Sequence, residues 1–336
     1  MLKKKEISQL LLDYSLYIVL GLLIIVVIIS DPSFISLKNI TNILSQASTR
    51  GILALGVAGL IVLRGTDLSA GRISGLTAIV SASLLQSVTY SSRMYLNLPE
   101  LPIIFPLLIA MAIGGVFGVI NGFGVAKLKL HAFIVTLGTQ LIAYGISCIY
   151  IDRPPLGAQP IANLDDKYVR FVTNSLKIGS FELPYLIIYL AVIAIIMWFI
   201  WNKTVLGKNM FAIGGNPEAA EVSGVNLTKN IILIFLISGV LYGLAGFLEA
   251  GRVGSATSNT GINYELDAIS ACVVGGVSFA GGVGTIPGVL IGTIILQFIN
   301  YGLNFIGVSP YLQYIIKGLI IIMAVSIDVR KYIEKK

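Results

Sequence analysis

Charge is what this sequence has least of. Asp, Glu, Lys and Arg together make up 12% of 336 residues, against about 25% in soluble domains, so there is too little charge to cover a solvated globular surface. Histidine occurs once, as His131, and cysteine twice, as Cys148 and Cys272. Both cysteines sit in apolar runs, where a thiol behaves as a small hydrophobe, so neither a disulfide nor a Cys/His metal site is expected. No Ser/His/Asp set and no carboxylate pair at acid-base spacing can be assembled, which leaves no catalytic residues to name. No Gly-x-x-x-x-Gly-Lys-Ser/Thr segment occurs either, so the chain does not cradle nucleotide phosphates by itself. It reads as a non-catalytic protein.

What remains is apolar. Hydrophobic residues are 56% of the chain and mean hydropathy is +0.91. The apolar runs approach the roughly 20 residues a helix needs to cross a bilayer, and the alternating ~10-residue segments of a membrane barrel are missing. The expected fold is an all-α polytopic membrane protein, one transmembrane domain over 1–336. Ten spans are expected, at about 14–30, 40–63, 68–88, 103–125, 132–151, 184–201, 230–250, 265–281, 285–304 and 311–328. Lys3-Lys4-Lys5 before the run Tyr14 to Ile29 looks like a secretory leader. Asp31-Pro32-Ser33-Phe34 follows in place of a small-residue cleavage pattern, so an uncleaved first span is expected.

The net charge of +7 does not point to nucleic acid, because the basic residues lie at the ends and in short loops. They mark topology. With both termini cytoplasmic, 14 Lys/Arg fall inside, counting Arg72 at the inner end of the third span, 7 fall outside, and Arg50 and Lys317 lie within spans, as the positive-inside rule requires. Two polar segments exceed turn length: 152–183, then an external loop with no core of its own, and 202–229, then cytoplasmic. His131 begins the fifth span beside Lys127 and Lys129, open to reading as a proton relay or as a loop histidine at a membrane edge.

Glycine numbers 36, much of it within spans, as at Gly114, Gly115 and Gly118 and again at Gly239, Gly243 and Gly246. Small residues four apart let helix backbones approach closely, so a tight bundle is expected. A faint repeat relates Ile120-Asn121 and His131 to Gly138 with Ile299-Asn300 and Pro310 to Gly318. Five spans per half would make matching spans antiparallel, the inverted-repeat logic of transporters.

The strongest local signal is Gly214-Gly215-Asn216-Pro217-Glu218-Ala219-Ala220-Glu221-Val222-Ser223-Gly224. Asn216 suits an N-cap, Pro217 the first helical position and Glu218 the positive end of the dipole, while Ser223-Gly224 stops the helix. So short a helix is marginal alone. Either a cytoplasmic partner holds it, or the ends of this chain's own helices do.

This segment resembles the coupling segment of permease subunits in bacterial ATP-binding-cassette sugar importers, the branch that includes ribose and galactose/methyl-galactoside systems. The likeness spans nearly the whole chain: Arg64-Gly-Thr-Asp67-Leu-Ser69-Ala-Gly71-Arg72, Phe133-Ile-Val-Thr136-Leu-Gly138-Thr139, Glu249-Ala-Gly-Arg252 and Tyr264-Glu265-Leu-Asp267. It is strongest to the galactose/methyl-galactoside systems. Ala132 departs from it, standing where the family has proline. The resemblance implies a subunit of the bacterial cytoplasmic membrane that imports a monosaccharide: galactose, methyl galactoside or glucose, with ribose, xylose or a nucleoside as alternatives. It implies a second copy of the chain, a cytoplasmic ATPase that carries ATP and magnesium, and a periplasmic or lipid-anchored sugar-binding protein. No cofactor is expected on this chain. Gly215, Asn216, Pro217, Glu218, Ala219, Ala220, Ser223 and Gly224 would contact the ATPase.

Polar residues within spans suggest a path. Asp67, between Arg64 and Arg72, reads either as a structural cap of a broken helix or as a gate. Asn121, Phe133, Thr136, Thr139, Gln297 and Asn300 are candidates to line the passage; the hydrogen-bonding ones also suit interhelical bonds. Glu249, Arg252, Glu265 and Asp267 are expected near the outer face, as a docking site for the binding protein or as plain loop charge. An ion-coupled transporter acting alone would instead need paired titratable groups near the midplane.

Overall fold

The computed structural model describes residues 15–153, 157–178 and 181–333. Lys3, Lys4, Lys5, Tyr14, Pro154, Pro155, Lys335 and Lys336 lie outside the described residues. In chain order the helices are α1 (Ser15–Ser30), α2 (Leu37–Val62), α3 (Ala70–Leu84), α4 (Ile104–Ala126) and α5 (Ala132–Ile151). After them come α6 (Asp166–Thr173), α7 (Tyr185–Lys203), α8 (Val205–Gly215) and α9 (Pro217–Val222). The last four are α10 (Leu227–Val253), α11 (Tyr264–Val274), α12 (Ile286–Phe305) and α13 (Pro310–Ile333). Two small antiparallel hairpins, β1 (Asp152–Arg153) with β2 (Gly157–Ala158) and β3 (Ser175–Ile178) with β4 (Phe181–Pro184), flank α6.

Each expected span contains a helix, but they are not all spans. Among the described residues six helices, α2, α4, α5, α7, α10 and α12, have the length and hydropathy to cross a membrane, and α1 and α13 contribute the shorter apolar stretches Ile18–Ser30 and Pro310–Met323. At 1.5 Å per residue, α3 reaches about 22 Å and α11 about 16 Å, both short of the ~30 Å hydrocarbon layer. The expected 68–88 and 265–281 are therefore corrected to shorter helices, of 15 and 11 residues, followed by irregular chain. Backbone chemistry explains the second break: Gly276, Gly281 and Gly282 all take positive φ after Val274. His131 accepts the Phe133 amide at its Nδ1, 3.3 Å away, so it caps α5 and defines the helix start at Ala132 without the family's proline.

Contacts between loops define two ends of the bundle. At one, Leu85 O accepts the Asp165 amide and Ile161 exchanges backbone bonds with Ala256, joining the chain after α3, the α6 region and the chain after α10. Tyr168 and Val172 of α6 are fully buried and belong to the main core, and the Tyr168 hydroxyl donates to Phe247 O on α10. Lys167 pairs there with Glu100; the carboxylate's hydrogen bond holds its ammonium above the ordinary lysine range. At the other end, Val62, Gly214 and Gly282 meet beside α8 and α9.

The core is built around α2 and α10. The most apolar window of α2 is 83% buried, against 28% for α5 and 22% for α7. Thr49 bonds Glu249, Ser238 bonds the Gly56 carbonyl, and Gly59 faces Ile234. Numbers rise along α2 as they fall along α10, so the two helices are antiparallel. Helix α10 also packs on α3 and α4. A Cβ at Gly114 would lie 2.0 Å from Gly239 O, one at Gly239 2.1 Å from Gly114 O, and one at Gly243 2.2 Å from Ala110 O. No side chain fits such a seam, and lipid supplies no hydrophobic drive to replace it.

Exchanging α2 with α10, α3 with α11, α4 with α12 and α5 with α13 maps the packing onto itself. Helix α2 packs on α11 and α12 as α10 packs on α3 and α4, and α3 packs on α4 and α5 as α11 packs on α12 and α13. This pairing matches α4 with α12 and α5 with α13, the correspondence of the Asn121 and Asn300 repeat. The first helix of each half departs from it, since α7 packs on α2 while α1 packs on α12.

Gly239→Leu should split α4 from α10 and lower stability by about 3 kcal/mol or more, the upper range of overpacking. Gly138→Ala, where nothing lies within 4 Å of the new Cβ, should leave stability unchanged or raise it by about 0.5–1 kcal/mol. Thermal unfolding in nanodiscs compares them.

Candidate functional site

The chain between α2 and α3 is not helical, yet it runs inside the bundle, so its backbone groups need protein partners. Asp67 Oδ1 accepts from the Ser69 amide at 2.8 Å and the Ser69 hydroxyl at 2.5 Å. Asn121 Nδ2 of α4 donates to Ser69 Oγ at 3.0 Å, and Thr139 Oγ1 of α5 donates to Asn121 Oδ1 at 2.7 Å. Thr136 Oγ1 accepts the Leu68 amide at 3.1 Å. Four expected path residues, Asp67, Asn121, Thr136 and Thr139, are thus brought together, and none is more than 5% exposed. Their hydrogen bonds run to one another and hold the start of α3. In this conformation they do not line an open passage.

The start of α11 meets the start of α3. A Cβ on Gly71 would fall 2.1 Å from Glu265 Oε2 and 2.4 Å from Gly261 O, and one on Gly75 would fall 2.1 Å from Thr260 O. Two helix N-termini, each the positive end of a dipole, therefore converge, and Asp67 and Glu265 place carboxylates where they offset that charge. Glu265 Oε1 accepts from Gln140 Nε2 at 3.5 Å, while Oε2 is buried with no hydrogen-bond partner among the described residues.

Helix α5 packs on α3, α3 touches α11, and α13 packs on α11. The two short helices are therefore flanked by two longer ones. These four helices carry half-buried polar groups: Arg72, whose guanidinium bonds Ser258 O at 3.0 Å and lies 4.3 Å over the Tyr144 ring, and Gln140. Asp267 and Lys317 form an ion pair at 2.8 Å, with side-chain exposures of 18% and 26%. Asn300 lies with them around a small cavity between α11, α12 and α13.

Elsewhere the expectations divide. Gln297 donates to Gln46 Oε1 at 2.8 Å, a bond between α12 and α2 away from this cluster. Phe133 is exposed at the start of α5. Glu249 and Glu265, expected near the outer face, are 2% and 4% exposed, which corrects their reading as docking or loop charge. The cause is the chain after α10, which returns into the bundle to reach Gly71. Glu249 is saturated by Thr49, by both arms of Arg252 and by Tyr264 at 2.8–2.9 Å, with Arg50 stacked 3.0 Å over the Tyr264 ring.

At the opposite end, Thr204 caps α8 and Asn216 Oδ1 accepts the Ala219 amide at 3.0 Å to cap α9. Pro217 occupies the first turn and Gly224 takes φ +85 beyond the last. Of the eight residues named there, Ala220 is buried and Pro217 half-buried, while Gly215, Asn216, Glu218, Ala219, Ser223 and Gly224 are exposed. Val222 is 91% exposed.

Residues 39–325 match a family model described as the permease component of a branched-chain amino acid transport system. The chain belongs to this permease family. The galactose/methyl galactoside import permease protein MglC of Haemophilus influenzae is 52% identical to it over 335 residues, covering 100% of this chain and 99% of that protein. MglC of Escherichia coli is 53% identical over the same shares. The ribose import permease protein RbsC of Escherichia coli is 36% identical over 315 residues, 93% of this chain and 92% of that one. No solved structure matches the chain.

For a permease the two polar groupings have different work. The Asp67 network is closed on itself, whereas Gln140, Tyr144, Arg72, Asp267 and Lys317 keep partial exposure. Sequence reasoning passed over Gln140 and Tyr144, whose i, i+4 spacing on α5 was the available signal, and noted Lys317 only as a charge within a span. Asn121→Leu should break the bridge between Ser69 and Thr139 and cost about 1 kcal/mol, seen as a lower thermal midpoint. Gln140→Leu should keep the midpoint and slow transport; equal loss of stability in both variants would remove the distinction.

Proposed function

We propose that this chain is the transmembrane subunit of an ATP-driven importer that carries galactose and methyl galactoside across the bacterial cytoplasmic membrane. The observation that carries this reading is the full-length identity of 52–53% with import permeases named for those sugars, against 36% for the ribose permease. The family description names branched-chain amino acids, but the full-length relatives are the finer guide.

In this reading the α9 end and both termini face the cytoplasm, as the Lys/Arg distribution favours. Exposed Glu218, Ala219 and Val222 contact an ATPase subunit, which carries ATP and magnesium. A second copy of the chain faces α5, α3, α11 and α13, because half-exposed charges at that depth do not face lipid. The sugar passes between the copies along Arg72, Gln140, Tyr144, Asp267 and Lys317. A sugar-binding protein docks at the α6 end, over a cleft of about 320 Å³ lined by Gln86, Arg93, Tyr95, Glu100 and Lys167. Affinity resides in that protein, so the path itself binds weakly. Closing of the ATPase dimer moves α9 and switches the path from outward to inward access, with no covalent chemistry on this chain.

The Asp267 and Lys317 pair, with Glu265 nearby, favours one rival, an ion-coupled carrier that needs no ATPase. Proteoliposomes separate the two. Methyl galactoside uptake should require the ATPase, ATP and the binding protein, and uptake driven by an ion gradient alone would decide for the rival. Glu218→Lys with Ala219→Arg should abolish ATPase association and cut uptake at least tenfold, about 1.4 kcal/mol or more of lost coupling. Intact association and uptake would show that α9 is not the coupling element.

A further inference from the structure

Arg64 follows the end of α2 with φ +63, a left-handed conformation that a non-glycine residue adopts at a cost. Its side chain crosses to α8, where Nε donates to Gly214 O at 2.6 Å and an Nη donates to Gly215 O. These are terminal carbonyls of α8, which have no intrahelical donor and lie at the negative end of the dipole. Arg64 is therefore the C-terminal cap of α8, supplied from a distant part of the chain. The next residue, Asn216, caps α9. The guanidinium thus grips the joint between α8 and α9.

A third segment closes the joint. A Cβ on Gly214 would lie 1.8 Å from Val62 O and 2.6 Å from the Gly282 amide nitrogen, and Gly282 N donates to Val62 O at 2.9 Å. A Cβ on Gly281 would lie 2.3 Å from Arg64 Cγ and 2.4 Å from Gly214 O. The end of α2, the α8–α9 joint and the chain after α11 are in backbone contact, with the Arg64 stem between them. One of these segments leads through Asp67 into α3, and another leads back to α11. They are the tethers of the two short helices whose N-termini converge within the bundle.

We propose that Arg64 is the positioning residue through which displacement of α9 reaches both short helices at once. The guanidinium passes the movement along its own chain to 63–69, and the Arg64 stem, whose Cγ would lie 2.3 Å from a Cβ on Gly281, passes it to 275–285. A forked group that holds two carbonyls is needed; a lysine ammonium offers one point contact. This rests on the reading of α9 as the ATPase contact.

The test uses the whole assembly in proteoliposomes, with the ATPase and the binding protein, comparing wild type, Arg64→Lys and Arg64→Gln. In Arg64→Gln the ATPase should still co-purify and the thermal midpoint and basal hydrolysis should hold. Uptake per ATP should drop about tenfold, and by less in Arg64→Lys, which keeps one of the two bonds. Unchanged uptake per ATP overturns the proposal. So does loss of co-purification, which would make Arg64 a docking contact, or a fall in stability that tracks the fall in uptake. Hydrogen exchange in the wild-type complex gives an answer independent of any variant: ATP binding should alter protection at 63–69 and 275–285 together, and no change there overturns the role. If the ATPase never associates with the wild-type chain, it is the function that fails and not the Arg64 link.

Discussion

Helices in lipid gain nothing by hiding apolar surface from one another, so the approach of α10 to α3 and α4 at backbone distance is the constraint on which the rest depends. Gly239 and Gly243 admit the carbonyls of α4, and Gly246 admits Ser74 O of α3. Van der Waals contact over that seam replaces the missing hydrophobic drive. Helix α10 lies antiparallel to α2, and the matching helices α12 and α11 lie on α2 as α4 and α3 lie on α10. The two halves meet where α3 approaches α11. That meeting is again a glycine contact, Gly71 against Gly261, with a Cβ on Gly261 only 2.0 Å from Gly71 O.

Hydropathy made the long helices legible, because an apolar run is local, and so is the capping signal of Asn216 and Pro217 at α9. The two short helices, α3 and α11, were not legible as short. Residues 265–281 are apolar enough to read as one span, and what stops α11 at Val274 is a set of glycine conformations held by partners far along the chain. The same limit applies to the site. Asn121 and Thr139 read equally as path residues or as interhelical bonds, because a polar group in a span has two uses, and the position of Ser69 opposite them was not visible in the sequence. Glu249 and Glu265 read as outer charges because nothing local reports that the chain after α10 turns back inward.

Buried charge separates what is fixed from what is free to change. Removing a carboxylate from water costs several kcal/mol unless its hydrogen bonds are all replaced. Around Glu249 they are replaced four times over, by Thr49, two arms of Arg252 and Tyr264. Such a cluster ties α2, α10 and α11 into one body. Among the described residues, the one side-chain donor to Glu265 is Gln140 at 3.5 Å, and its Oε2 has no partner. It sits where the short helices converge, and this conformation leaves it underbonded.

An underbonded group at a convergence of two short helices is what a two-state element requires. If every polar atom there were satisfied, as at Glu249, one arrangement would be so favoured that a modest push from outside could not shift it; populations respond only to differences of a few kcal/mol. The two clusters therefore differ in what they fix: the saturated one ties α2, α10 and α11 together through Glu249, while the start of α11 is held by fewer bonds to its own carboxylate.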